Sequence, residues 1–221
     1  MVVDFKVLRE IAAQNFRDLG GHPTRDRRHV RKKTIYRSSH LAEVPHEHPV
    51  RSVPLKTLVT LQSRIEVRHL GRPHDHVLRG VRWEHIPMGD IWFKDAAFNP
   101  LIEPGKEHLN MLNSCLPDWQ RFFKLLAESD VYPLLFHCSA GRDRTGLGAA
   151  LLLELLGVER KRIVGDFLES NHTFPGSPLS ERQLEPIFEL IDRAGGVNAF
   201  MRNVIGLTDS ELETIRRDLL D

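Results

Sequence analysis

Between Val131 and Gly157 the chain passes from a short apolar run, VYPLLF, through the polar stretch HCSAGRDRTG and into GLGAALLLELLG, which is apolar nearly all round. That order predicts a buried strand, a loop, and a buried helix that stops at Gly157. A strand and a helix that are both buried belong in the middle of a layered α/β structure. The loop between them carries the only chemistry-dense stretch of the sequence.

The loop, His137 to Gly146, puts one cysteine and one arginine on either side of a glycine-containing turn. Successive backbone N–H groups of Ser139, Ala140, Gly141, Arg142, Asp143 and Arg144 are expected to curl into an anion-binding nest, with the positive end of the following helix aimed at the same spot. A phosphate dianion would sit there without a metal or any other cofactor. The same field favours the thiolate of Cys138, which makes it the candidate nucleophile. Arg144, at the mouth of the helix, has the planar fork that grips two phosphate oxygens during transfer, which a lysine could not copy. Asp143 can protonate the leaving oxygen and then activate water, and the Thr145 hydroxyl can hydrogen-bond the thiolate.

HCSAGRDRTG resembles the signature loop of the protein tyrosine phosphatase superfamily: His-Cys, five residues, then Arg and Ser or Thr. A rhodanese also holds a reactive cysteine in a strand-loop-helix cradle, but its loop does not usually end in Arg-Thr-Gly. NFRDLGG (Asn15 to Gly21), YRSSHL (Tyr36 to Leu41), DFLESN (Asp166 to Asn171) and the tail from Gly195 to Leu220 are similar to the bacterial and fungal group of atypical tyrosine phosphatases, which includes mycobacterial and listerial secreted enzymes. The resemblance covers nearly the whole chain. It implies dual- or triple-specificity phosphatase activity, makes the in-loop Asp143 the general acid, and gives His137 the task of orienting the loop and tuning the thiolate.

There are three departures from the group's pattern. Arg142 stands where lysine is usual, which keeps charge but not hydrogen-bond geometry. The group associates that lysine with phosphoinositide substrates, so Arg142 leaves lipid activity open. In VTLQSRIE (Val59 to Glu66), Thr60 and Gln62 replace the acid and base of an Asp-Leu-Arg-Ser sequence, which puts more weight on Asp143. Arg27 and Lys33 replace hairpin glycines, which suggests a changed turn.

At 221 residues and 41% hydrophobic the chain fits one catalytic domain, residues 1–221, with no integral membrane segment. Its 31 Lys and Arg against 30 Asp and Glu predict no bulk attraction to nucleic acid or anionic membranes. Two cysteines, one of them catalytic, point away from a structural disulfide and toward the cytoplasm. Cys115 is expected to be a buried helix residue. The charged N-terminal segment lacks the apolar core of a secretory signal, so export would need another route.

Short strands are predicted around Thr34 to Arg37, Leu58 to Leu61, Val81 to Ile86 and Leu134 to Phe136. Helices are predicted from Pro117, carrying Trp119, Phe122, Phe123 and Leu126 on one face, and over Glu159 to Ser170. Ser180 to Gln183 and Thr208 to Glu211 read as capping boxes of two closing helices. The expected fold is therefore α/β: a central, mostly parallel sheet flanked by helices, with a helical C-terminal tail and the loop at a strand's carboxyl end.

Residues 90–114 keep no steady period and read equally as a lid over the site or as ordinary core. Trp92, Phe93 and Phe98 would be its aromatics, and Asp90 and Asp95 its reserve acids. The basic run Arg25 to Lys33 reads first as a solvated hairpin arm, and otherwise as a steering patch for acidic phosphopeptides or inositol headgroups. His46 to His48 and His74 to His76 lack metal-ligand spacing. The expected partner is a phosphorylated protein or small phosphomonoester, with phosphoinositide as an extension. A non-catalytic phosphate-binding module and a sulfurtransferase are the alternatives.

Overall fold

A computed structural model describes residues 5–90, 106–174, 176 and 178–221. Five strands, β1 (Arg17–Asp18), β2 (Ile35–Ser38), β3 (Thr57–Thr60), β4 (Arg82–His85) and β5 (Leu134–His137), form one sheet in the order β1-β2-β5-β3-β4. β2, β5, β3 and β4 are parallel, and β1 closes one edge antiparallel to β2. The mostly parallel α/β sheet read from the sequence is what forms.

The helices described are α1 (Phe5–Glu10), α2 (Arg64–Leu70), α3 (Asp75–Leu78), α4 (Glu107–Ser114), α5 (Leu116–Leu126), α6 (Asp143–Leu155), α7 (Arg160–Glu169), α8 (Glu185–Arg193), α9 (Val197–Phe200) and α10 (Asp209–Leu219). Among the described residues no helix is long and apolar enough to cross a membrane.

Alternation along the strands sorts side chains to two cores. Ile35, Val59, Leu134 and Phe136 join the larger one with α5 and α6, while Tyr36, Leu58 and Leu135 face a smaller one with Leu41, Val50 and Val77. Such a sheet needs helices over both faces, and α6 is the innermost of them, with every residue from Arg144 to Leu155 buried. The aromatic face of α5, Trp119, Phe122, Phe123 and Leu126, is fully buried as its spacing indicates.

The capping boxes at Ser180 and Thr208 both form, the first opening a 3-10 turn ahead of α8. Arg27 and Lys33 hold left-handed φ values of 69° and 59°, so the hairpin keeps a glycine-like backbone without glycine. Much of the basic run is spent on scaffold: Arg31 donates to the carbonyls of Asp218 and Leu220 at the end of α10, Arg28 pairs with Asp26, and Arg25 lies 3.7 Å from Glu154. His48 and His74 use Nδ1 to accept from the backbone N–H of Val50 and His76, as local caps.

Of the aperiodic segment 90–114, residues 91–105 lie outside the described residues, and with them Trp92, Phe93, Asp95 and Phe98. The remainder contains α4, whose His108 and Leu112 are buried. Asp90 accepts from the Arg64 backbone N–H at 2.6 Å and pairs with its guanidinium.

Candidate active site

The strand registers set Ser38, His137, Thr60 and His85 abreast at the carboxyl ends of β2, β5, β3 and β4. Cys138 follows directly from the central strand and is buried, and α6 begins at Asp143. The loop is thus held between the middle of the sheet and the start of the most buried helix.

What shapes it into a cradle is the outward turn of its carbonyls. The Ser139 carbonyl accepts from the His40 N–H at 3.0 Å, the Cys138 carbonyl from His137 Nδ1 at 3.0 Å, and the Gly141 carbonyl from both Asn15 Nδ2 and Arg37 Nη2 at 2.8 Å. The amides of Ser139, Ala140 and Gly141 make no hydrogen bond among the described residues, so they remain as donors for an anion. Gly141 sits at φ 66°, and a Cβ there would overlap the Ser38 carbonyl oxygen.

A buried ion-pair network stands behind the Gly141 carbonyl. Asp166 of α7 pairs with Arg37, and its Oδ1 accepts from Arg17 Nε at 2.7 Å. Asn15 Nδ2 also reaches Ser170 Oγ at 3.1 Å. Burial pulls the Arg37 guanidinium down to about 10 against the opposing charge of Asp166, so it remains protonated at neutral pH. Burial pushes Asp166 up, but the two arginines outweigh it and hold the carboxyl below its usual range. Gly146 lets this layer close, since a Cβ there would stand 2.9 Å from the Phe167 ring. Arg17 and Arg37 thus share Asp166, and what they hold is the loop.

Arg144 is fixed by Glu66. Its Nη1 donates to Glu66 Oε2 at 2.6 Å and its Nη2 to Oε1 at 2.5 Å, with further bonds from Nη1 to the carbonyls of Met88 at 3.0 Å and Leu61 at 3.2 Å. Glu66 also accepts from Ser139 Oγ at 2.6 Å and closes the Ser63 capping box that starts α2. Burial raises the Glu66 carboxyl, yet Arg144 and these donors bring it down to about 2. Arg144 answers in kind: burial lowers it, and the Glu66 charge raises it further, above its ordinary value. Gln62, in the place of the group's basic residue, donates to Ser139 Oγ at 3.1 Å.

His137 ends a chain of donors. Trp83 Nε1–H donates to Thr60 Oγ1 at 2.9 Å, and Thr60 Oγ1 is 3.0 Å from His137 Nε2. Because Nδ1 faces a carbonyl it must carry the hydrogen, which leaves Nε2 to accept from the Thr60 hydroxyl. Burial takes His137 down to about 3, so it is the neutral tautomer that orients the Cys138 carbonyl. Thr60 thus occupies the group's acidic position as a hydrogen-bond relay.

Asp143 stands at the first turn of α6 with its carboxylate 3.2 Å from Arg142 Nε and 3.5 Å from His108 Nε2. The Arg142 guanidinium lies over the Phe174 ring, 5.5 Å from its centre. Thr145 is buried, and its hydroxyl has no hydrogen-bond partner among the described residues. The sequence motif therefore brings Cys138, Asp143 and Arg144 to one loop end. Glu66, Asn15, Arg37, Asp166 and His108 complete the surroundings without having been singled out for them. Asn15, Arg37 and Asp166 lie in the motifs NFRDLGG, YRSSHL and DFLESN, and Glu66 carries the Ser63-x-x-Glu66 capping pattern. No group of three or more potential metal ligands occurs among the described residues.

A family model described as "Tyrosine phosphatase family" matches residues 10–221. A tyrosine-protein phosphatase of Nostoc commune is 38% identical over 74 residues, 34% of this chain and 25% of that protein. The triple specificity protein phosphatase PtpB of Mycobacterium tuberculosis is 54% identical over 43 residues, 20% of this chain and 16% of its own. The matched segments thus span a quarter or less of these relatives' lengths. The solved core catalytic domain of the PP-IP phosphatase SIW14 from S. cerevisiae aligns with 84% of this chain and 95% of its own at 16% identity, with a TM-score of 0.44, too remote to bear on the chemistry.

Proposed function

Because this chain belongs to the tyrosine phosphatase family, we propose that it is a cysteine-dependent phosphatase that hydrolyses phosphotyrosine monoesters through a cysteinyl-phosphate intermediate. The observation that carries the reading is the cradle itself: outward carbonyls, inward amides, and an arginine locked in a bidentate pair beside Cys138.

In the first step Cys138 Sγ attacks phosphorus, the S–P bond forms, and the bond to the leaving oxygen breaks as Asp143 gives that oxygen its proton. In the second, the Asp143 carboxylate takes a proton from water, whose oxygen attacks phosphorus and returns the thiolate. The loop amides and Arg144 hold the equatorial oxygens throughout, and no metal is needed. His137 fixes the loop from below, and Ser139, Ala140, Gly141 and Arg142 supply its wall.

The name of the PtpB relative, a triple specificity protein phosphatase, supports a wider ester range than phosphotyrosine alone; phosphoserine and phosphothreonine come next, and phosphoinositides remain an extension of that reading. Arg142 keeps a cation at the rim, stacked on Phe174. The reading makes residues 1–221 one catalytic unit in the cytoplasm, where both thiols stay reduced.

The test is phosphate release, with chelator present, from phosphotyrosine and phosphothreonine peptides and monophosphorylated phosphoinositides. Wild type should release phosphate, and Cys138→Ser should not, while still binding an oxyanion such as tungstate. No release from any substrate by wild type would favour a binding module. Cyanide-dependent thiocyanate formation from thiosulfate would favour a sulfurtransferase.

A further inference from the structure

His108, on α4, is almost wholly buried, and neither ring nitrogen has a hydrogen-bond partner among the described residues. An unpartnered polar group in the interior costs about 1–3 kcal/mol, so its retention calls for an explanation. The ring is clamped edge-on by Phe167, with centroids 5.2 Å apart and planes at 79°. In that setting Nε2 points at Asp143 Oδ1 from 3.5 Å.

We propose that His108 is a positioning residue for the general acid, donating Nε2–H to one oxygen of Asp143 so that the other carries the proton to the leaving group. The inference rests on the assignment of Asp143 as that acid. Burial lowers His108 against the charge of Asp143, with Arg142 adding to the lowering and Glu107 opposing it, so the ring is neutral and has one N–H to give.

The gap of 3.5 Å is just beyond hydrogen-bond length, and bonds of this kind commonly tighten when substrate binds. While Asp143 is protonated, the contact is between two neutral groups. As the proton passes from Asp143 to the leaving oxygen and the P–O bond breaks, a carboxylate appears in front of Nε2–H. The hydrogen bond then becomes charge-assisted, and so is stronger late in the step than at its start. The histidine gains and loses no proton. Arg142 Nε lies near both Asp143 oxygens, and cannot by itself distinguish which of them holds the proton.

Leaving-group dependence tests this. Phenyl phosphate needs its leaving oxygen protonated, and 4-nitrophenyl phosphate hardly does. His108→Leu should lower kcat/KM, which reports the first step and not the Asp143-assisted hydrolysis that both substrates share, about tenfold on phenyl phosphate and by less than about twofold on 4-nitrophenyl phosphate. It should cost nothing further in an Asp143→Asn background, and should leave the melting temperature unchanged or higher. His108→Gln, which presents an N–H near the Nε2 position, should recover most of the loss. Equal losses on both substrates, or a loss additive with Asp143→Asn, would overturn the role. A selective loss in Asp143→Asn with none in His108→Leu overturns His108 alone. Without a selective loss in Asp143→Asn, the acid assignment falls and His108 with it.

Discussion

Replacing Glu66 by glutamine keeps the shape of the side chain and removes its charge from four donors. The backbone N–H of Ser63, the hydroxyl of Ser139 and both terminal nitrogens of Arg144 now converge on its two oxygens at 2.5–2.7 Å. One oxygen becomes an NH2 group facing two of those donors, and the buried guanidinium loses its counter-charge. The folded carboxyl sits at about 2 against an ordinary 4.5, a difference that corresponds to about 3 kcal/mol. That agrees with the roughly 3–5 kcal/mol for removing one partner of a buried pair. A group whose folded value is depressed stabilises fully above its unfolded value and stops doing so as pH falls through the folded one. The gap between wild type and Glu66→Gln should therefore be widest at neutral pH and narrow by about 2 kcal/mol on acidification to about pH 3. Urea unfolding of both proteins across that range reads it directly, because every other carboxylate titrates in both. A gap under about 1 kcal/mol at pH 7, or one that does not change with acid, would refute the reasoning.

Two further substitutions address the loop's rear wall. Gly141→Ala forces a side chain into a left-handed position against the Ser38 carbonyl, and should cost about 2–5 kcal/mol in thermal unfolding and most of the kcat/KM. An alanine variant of near wild-type stability and activity would mean that the loop has room to give. Arg37→Met should cost about 3–5 kcal/mol by removing the fully buried partner of Asp166 and half of the Gly141 anchor, and clearly more than Arg17→Met, whose side chain is partly in solvent. The reverse order in denaturant melts would contradict that ranking.

The loop was legible because its chemistry is contiguous: strand, cradle and helix follow one another from Leu134 to Leu155, and an apolar run bounds the polar stretch on each side. The strands flanking it were legible for the same reason, through apolar runs at Ile35 and Leu58. What supports the loop was not. Glu66 meets Arg144 across 78 positions and Arg37 meets Asp166 across 129, and no local pattern encodes which acid faces which base. The motifs NFRDLGG, YRSSHL and DFLESN were visible as resemblances, but their joint task, turning one carbonyl outward, exists only once the chain is folded. β1 is two residues long and has no period to read. α4 is short and follows Pro104 and Gly105, so the same irregularity that suggested a lid hid His108. The hairpin at Arg27 and Lys33 went the other way: glycine's absence suggested a different turn, and the left-handed backbone forms regardless.

Glu66 is at once the third residue of a helix and the counter-ion of Arg144. The distance from the end of β3 to that carboxylate is therefore a ruler, measured in residues. One residue inserted between Ser63 and Glu66 would swing the carboxylate roughly 100° around the helix axis, away from the guanidinium. One inserted beyond Gly71, in the turn that leads to α3, would leave it in place. Length variation among chains built on this plan should accordingly gather after α2 and be absent from the few residues before it.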